Sequence, residues 1–222
     1  MMMKRTNSRR ALLALAATVL GALLVQGSSA WAANDENGVD ASTPSTLVDT
    51  VARTILTEID AHRADYRKDS VKLDKLVSRV LLPHFDTDYA AMLVLGKHWS
   101  TATPEQRKRF TDGFYHSLLH NYGTELVEFS LDRLQVLPYR GDAAATSASV
   151  HTLVRRSSGA QVNVNYSLRR TEQGWKAYDV TIEGISYVKS FRDDFGAEID
   201  QKGLDAVIDR LEKDFSLAAP KG

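Results

Sequence analysis

The 222-residue sequence contains no cysteine, which excludes disulfides, a lipid-modified cysteine anchor and a cysteine nucleophile. Its fold therefore depends on its apolar core, even in an oxidising compartment. A glycine-rich phosphate loop and a G-x-S-x-G elbow are also missing, and with them two common routes to phosphoryl and acyl chemistry. Charge of one sign is not in excess, since 28 lysines and arginines face 28 aspartates and glutamates. Nucleic-acid binders and polybasic membrane-surface proteins need clustered basic residues, so neither class is expected. The N-terminal apolar run, Ala11 to Val25, falls short of the ~20 residues of a spanning helix.

That run sits in an export signal. Lys4, Arg5, Arg9 and Arg10 form its charged region, and Ala30-Trp31-Ala32 forms a small-x-small cleavage site. Residues 1–32 are expected to be removed, leaving a mature chain from Ala33. Ser8-Arg9-Arg10-Ala11-Leu12-Leu13 resembles a twin-arginine signal with Leu12 in place of the usual Phe, so Sec and Tat export both stay open. Loss of the four basic residues lowers the basic count from 28 to 24 against 28 acidic residues, a net charge of −4.

The polar segment 33–45 has almost nothing to bury and is expected to be a disordered leader. A domain follows over 46–215, with a disordered tail at 216–222. Leu47, Val48, Val51, Ile55 and Ile59 recur at helical spacing, and Val71, Leu73, Leu76, Val77 and Val80 resume it after the polar stretch His62 to Ser70. These give two helices or one broken helix. Asp86 caps a third segment, Asp88 to Lys97. Thr103, Pro104 and Gln106 spell a helix start with a capping box, and that helix runs to about Asn121. Phe110, Phe114, Leu118 and Tyr122 form a stripe along it.

From Leu131 the period changes from about 3.6 to 2. Four strands are expected: Leu131 to Tyr139, Ala145 to Arg155, Gln161 to Arg170 and Trp175 to Glu183. Short turns between them imply an antiparallel meander. Val162, Val164, Tyr166 and Leu168 share a dry face, while Asn163, Asn165, Ser167 and Arg169 share a wet one. A helical region with Phe191, Phe195, Ile199, Leu204, Val207, Ile208 and Leu211 closes the chain. The fold class is α+β, a cone of N-terminal helices, a curved four-stranded antiparallel sheet and C-terminal helices.

Two constellations have metal-ligand spacing. His116 and His120 stand at i, i+4 with Asp112 one turn earlier, but at ~100° per residue they lie opposite the apolar stripe, facing solvent. Asp86-Thr87-Asp88 is explained by helix capping. No metal and no cofactor is expected. A small α+β cone also houses proton-transfer enzymes, which need a carboxylate base and an oxyanion donor in one pocket. Tyr166 is the evident polar group on the dry face, and Tyr178 and Asp179, adjacent in a strand, point to opposite sides. Gly184 after Glu183 relieves a bend where the last strand leaves the sheet.

Leu95-Gly96-Lys97-His98-Trp99-Ser100-Thr101-Ala102-Thr103-Pro104-Glu105-Gln106-Arg107-Lys108-Arg109-Phe110 resembles the L-G-x-x-W-x-x-A-T-P-x-Q-R-x-x-F pattern of the MlaC family, also called the toluene-tolerance auxiliary family. Gly174-Trp175-Lys176-Ala177-Tyr178-Asp179-Val180-Thr181-Ile182-Glu183-Gly184-Ile185-Ser186 is similar to that family's G-W-x-x-Y-D-x-x-x-E-G-[VI]-S segment. Leu82-Pro83-His84-Phe85-Asp86 and Lys202-Gly203-Leu204-Asp205 are similar to weaker positions. The resemblance implies a fold related to nuclear transport factor 2 and a monomeric periplasmic carrier. It would take glycerophospholipid between an outer-membrane lipoprotein complex and an inner-membrane complex of an MCE-domain protein and ABC transporter, and so maintain outer-membrane lipid asymmetry.

Moving two ~16-carbon chains through water costs on the order of 20 kcal/mol at ~0.8 kcal/mol per methylene, so such a carrier needs a dry cavity. The expected acyl contacts are Leu93, Phe114, Leu118, Val162, Val164, Tyr166 and Ile185. An exported enzyme of the same shape on an apolar substrate, and an adaptor with a filled core, remain the alternatives.

Overall fold

The structure, a computed structural model, describes residues 38–142, 144–155 and 159–218. The expected export signal, most of the leader's first half and the last residues of the expected tail lie outside them. Thr43 and Thr46 each accept the other's N–H through a hydroxyl, and Pro44 takes the first position of α1 (Pro44–Lys68). Val39 is fully buried beside Leu47 and Val48, so ordered chain begins ahead of Thr46. The polar stretch after Asp60 still continues α1 as far as Lys68, with a kink at His62 (φ −131°, ψ 25°). Asp69 ends α1 and caps α2 (Ser70–Val80) by accepting the Lys72 N–H at 3.1 Å.

Asp86 starts α3 (Thr87–Leu95) in the same way, through the Tyr89 N–H at 3.1 Å. At Gly96 the chain takes φ 53° and ψ −117°, a region closed to side chains, and an ideal β-carbon there would lie 2.7 Å from Nε of Arg192. α4 (Pro104–Leu126) begins where the capping box places it: the Thr103 N–H donates to Gln106 Oε1 at 2.9 Å and the Gln106 N–H to Thr103 Oγ1 at 3.1 Å. Gln106 Nε2 continues to Asp205 Oδ1 at 2.7 Å, tying this start to the C-terminal helices.

Those helices are two, α5 (Tyr187–Lys202) and α6 (Leu204–Ala218), separated by Gly203 at φ 84°. α6 includes 216–218, which the sequence assigns to a tail. Phe110, Phe114 and Leu118 of the α4 stripe pack with both. Phe110 and Phe114 stack with centroids 5.9 Å apart and meet Phe195 edge-on at 5.4 and 5.9 Å. Ile199, Val207, Ile208 and Leu211 complete this cluster. Contact between α4 and α6 is close because Gly113 has no side chain: a β-carbon there would stand 2.9 Å from Leu211 Cβ.

The sheet runs in sequence order, all antiparallel: β1 (Leu134–Val136), β2 (Ser147–Arg155), β3 (Gln161–Thr171), β4 (Gly174–Ile182) and β5 (Ile185–Ser186). Among the described residues there are thus five strands, not four. The fifth has two residues, too few to show an alternation. The first is shorter than the expected Leu131 to Tyr139, because Leu131–Arg133 winds into a 3₁₀ turn and Pro138 has no N–H for the ladder. One further departure changes which side chains of β4 share a face. A bulge at Ser167/Leu168 leaves Tyr178 without a partner on β3, while Asp179 pairs with Ser167 and Ala177 with Leu168.

Candidate functional site

Register assigns every side chain of the sheet to a face, because directly paired residues point the same way. One row crosses all five strands: Val136, Thr152, Val164, Ile182 and Ile185. A second row joins Leu134, Val154 and Val162, and a third joins Val150, Tyr166 and Val180. These three rows are apolar except for Thr152 and Tyr166. At the end holding Val150, Leu168 and Trp175 the face is covered by Leu47, Val48 and Val51 of α1. At the other end Val154, Val162 and Val164 cluster with Leu134, Tyr166, Val180 and Ile182, and all of these come from strands. No helix residue belongs to that patch among the described residues.

The seven expected contacts do not come together. Val162, Val164 and Tyr166 lie in the strand-built patch. Ile185 ends the five-strand row at its rim and is 62% exposed. Phe114 and Leu118 belong instead to the cluster of α3, α4, α5 and α6, and Leu93 is half-buried on α3. The stripe period fixed a shared face for Phe114 and Leu118 but not its partner, and α5 and α6 bring equally apolar faces to it. Val154, Val180 and Ile182 were missed as members of the patch. Their placement follows from register, which a single strand's alternation does not reveal. Two open surface hollows lie elsewhere, about 450 Å³ beside Leu137, Tyr139, Ser149 and His151, and about 360 Å³ beside His62, Tyr66, Lys72 and Arg79.

The polar groups of the site are satisfied locally. Thr152 Oγ1 donates to the Val164 carbonyl at 2.8 Å. Burial pushes the Tyr166 phenol above its usual value, opposed by a hydrogen bond with Thr152. Asp179 is 8% exposed, and its two oxygens accept Ser186 Oγ at 2.7 Å and the Val188 N–H at 3.0 Å, so its carboxylate anchors the start of α5.

The bulge places Tyr178 and Asp179 on the same, polar side of the sheet, against the alternation the sequence implies. Tyr178 meets Tyr89 edge-on at 5.0 Å, and the Arg169 guanidinium lies over Tyr89 at 4.2 Å. Arg169 Nε also donates to Asp86 Oδ2 at 2.6 Å. Both carboxylate oxygens of Asp86 are thereby engaged, one as the α3 cap and one by Arg169. Of the other metal candidate, the His116 ring lies 5.4 Å from Tyr115 and the His120 side chain is outside the described residues. The two sequence motifs thus act as joints: one fastens α4 to α6 and the other fastens α3 and α5 to β4.

The family model for the MlaC protein matches residues 49–213. The chain is 32% identical over 174 residues to the toluene tolerance protein ttg2D of Pseudomonas putida, covering 77% of this chain and 80% of that protein. It is 22% identical over 179 residues to the intermembrane phospholipid transport system binding protein MlaC of Haemophilus influenzae, covering 79% and 83%. Among solved structures, a phospholipid-binding protein from Ralstonia solanacearum in complex with a phospholipid aligns with a TM-score of 0.66 and 27% identity, covering 78% of this chain and 94% of that one. By the extent of the family match and the identity to the Pseudomonas relative, this chain belongs to the MlaC family.

Proposed function

We propose that this protein is a periplasmic carrier that binds glycerophospholipid by its acyl chains and performs no covalent chemistry. The observation that carries the reading is the strand-built apolar patch, whose members among the described residues all come from strands, in a chain whose structural relative is a phospholipid-binding protein in complex with a phospholipid. Acyl chains would lie along Val154, Val162, Val164, Val180 and Ile182, with Tyr166 at the inner end and Ile185 at the mouth. Phe114 and Leu118 would support this arrangement from the helical core, and Leu93 from α3. The headgroup stays near solvent, where the phosphate keeps its hydration. At ~0.8 kcal/mol per methylene, sheltering even half of two chains offsets on the order of 10 kcal/mol of exposure.

In the same proposal the carrier takes lipid between an inner-membrane complex of an MCE-domain protein and ABC transporter and an outer-membrane lipoprotein complex, and so maintains outer-membrane asymmetry. Two relatives support it by description, an intermembrane phospholipid transport component and a toluene tolerance protein. The test is transfer. Protein loaded with labelled phospholipid should exchange it with vesicles bearing the inner-membrane complex faster than with bare vesicles of the same composition. Equal rates in both would remove the shuttle between complexes.

A further inference from the structure

Glu183 stands in the left-handed region, with φ 48°, and is the one non-glycine residue at positive φ among the described residues. Gly184 follows at φ 84°, so the two form the tight turn between β4 and β5 with positive φ at both central positions. Asn or Gly would enter the first of these positions easily, whereas a glutamate is disfavoured there. The carboxylate explains what the strained residue supplies. Past the Val164–Ile182 pair, the next ladder bonds join Asn163 and Glu183: the Glu183 N–H donates to the Asn163 carbonyl at 3.0 Å. The reciprocal donor, the Asn163 N–H, goes to Glu183 Oε1, and the Asn163 amide reaches the same oxygen at 3.4 Å. A side-chain oxygen thus does what a strand carbonyl would do.

This turn leads directly into one exposed apolar side chain. Ile185 follows Gly184, pairs with Ile182, and completes the five-strand row while remaining 62% exposed. We infer that Glu183 is the positioning residue of the lipid mouth: its carboxylate pins the β4–β5 turn to Asn163 and so holds Ile185 across the open end of the strand-built patch. The inference rests on the carrier reading. Its chemical consequence is retention. With the turn pinned, Ile185 covers the last acyl methylenes at the rim; with the turn free, it swings with β5 and lets them meet water.

The test separates the pinned carboxylate from the turn itself. Wild type and the variants Glu183→Gly, Glu183→Asn and Glu183→Gln are loaded with pyrene-labelled phosphatidylethanolamine and chased with excess phosphatidylcholine vesicles, and each melting curve is recorded. Gly and Asn accept the left-handed turn more readily than Glu, and the Asn163 N–H they release is exposed to water. These two variants should melt at or above wild type yet release lipid about tenfold faster, the effect of one charge-assisted hydrogen bond. Gln keeps an acceptor oxygen and should recover most of the retention, staying within about threefold of wild type.

Release from the Gly and Asn variants at the wild-type rate overturns the inference, as does loss of retention matched by a lower melting temperature. Equal loss in the Gln variant also overturns it, by assigning the effect to charge. A wild type that takes up no probe removes the carrier reading itself, an outcome distinct from all three.

Discussion

Replacing Val164 with aspartate puts a titratable charge at the middle of the strand-built patch, between Thr152 and Ile182 of the neighbouring strands. Val164 is 8% exposed, and among the described residues its cluster holds no helix residue, so in the lipid-free protein the new carboxyl can turn toward water as the patch relaxes. With acyl chains over it, no such escape exists. An unpaired carboxylate there is costlier than a neutral acid, so the group protonates. Holding an acid of ordinary pKa about 3.9 neutral at pH 7 costs about 4 kcal/mol, at 1.36 kcal/mol per pH unit. Retention of lipid should fall roughly a thousandfold at pH 7. At pH 5 the same reasoning leaves about 1.5 kcal/mol, roughly a tenfold deficit.

The assay is release of labelled phospholipid to vesicles at both pH values, with circular dichroism to confirm folding. Val164→Asn serves as the control, with a deficit that does not change with pH. Val150→Asp provides a contrast one row away, since Val150 is 1% exposed and packed with Leu47 and Val48 of α1; that variant should not fold. A folded Val164→Asp protein that keeps lipid at pH 7, or loses it equally at both pH values, refutes the placement of the chains.

Gly113→Ala should destabilise the protein by about 1–3 kcal/mol despite alanine's better helix propensity, because the added methyl meets Leu211 Cβ at 2.9 Å and Leu211 is fully buried. Thermal unfolding checks this, and an unchanged or raised midpoint contradicts the close α4–α6 contact. Glu198 is held below the usual carboxylate range first by Arg210, whose Nη2 donates to it at 2.7 Å, and then by Lys202 at 3.2 Å. Because the folded-state pKa is depressed, its stabilisation is present above about pH 4.5 and is lost as pH falls through the folded value. Glu198→Gln should cost about 1 kcal/mol at pH 7, limited by the solvent around Arg210, and should flatten the acid limb of a pH–stability curve. An acid limb as steep as that of wild type would assign the sensitivity to other carboxylates.

Much of the fold is legible where local chemistry acts alone. Thr103, Pro104 and Gln106 locate the start of α4 to the residue because a reciprocal cap and a proline at the first position leave no competing reading. The alternation of Val162 to Leu168 gives the dry face of β3 because the strand is buried on one side only. Legibility fails where a second strand decides. Tyr178 and Asp179 share a side because β3 and β4 slip at a bulge, and no period-2 pattern contains that slip.

The site divides in the same way. Val162, Val164 and Tyr166 follow from one strand, whereas Val154, Val180 and Ile182 join them only through register. Phe114 looked available to a cavity because its partners, Phe191 and Phe195, lie some eighty residues away in sequence. Gly184 marks the bend in the sequence, but the left-handed conformation of Glu183 beside it is not legible there, since glutamate is not a residue that announces such a turn.

The central claim is that a phospholipid occupies the strand-built patch, and native mass spectrometry of protein purified without detergent tests it most directly. The carrier should show a near-stoichiometric adduct with the mass of a diacyl phospholipid, confirmed by extraction, and Val164→Asp should lack it at pH 7. A bare protein mass, unchanged after incubation with phospholipid vesicles, would contradict the claim.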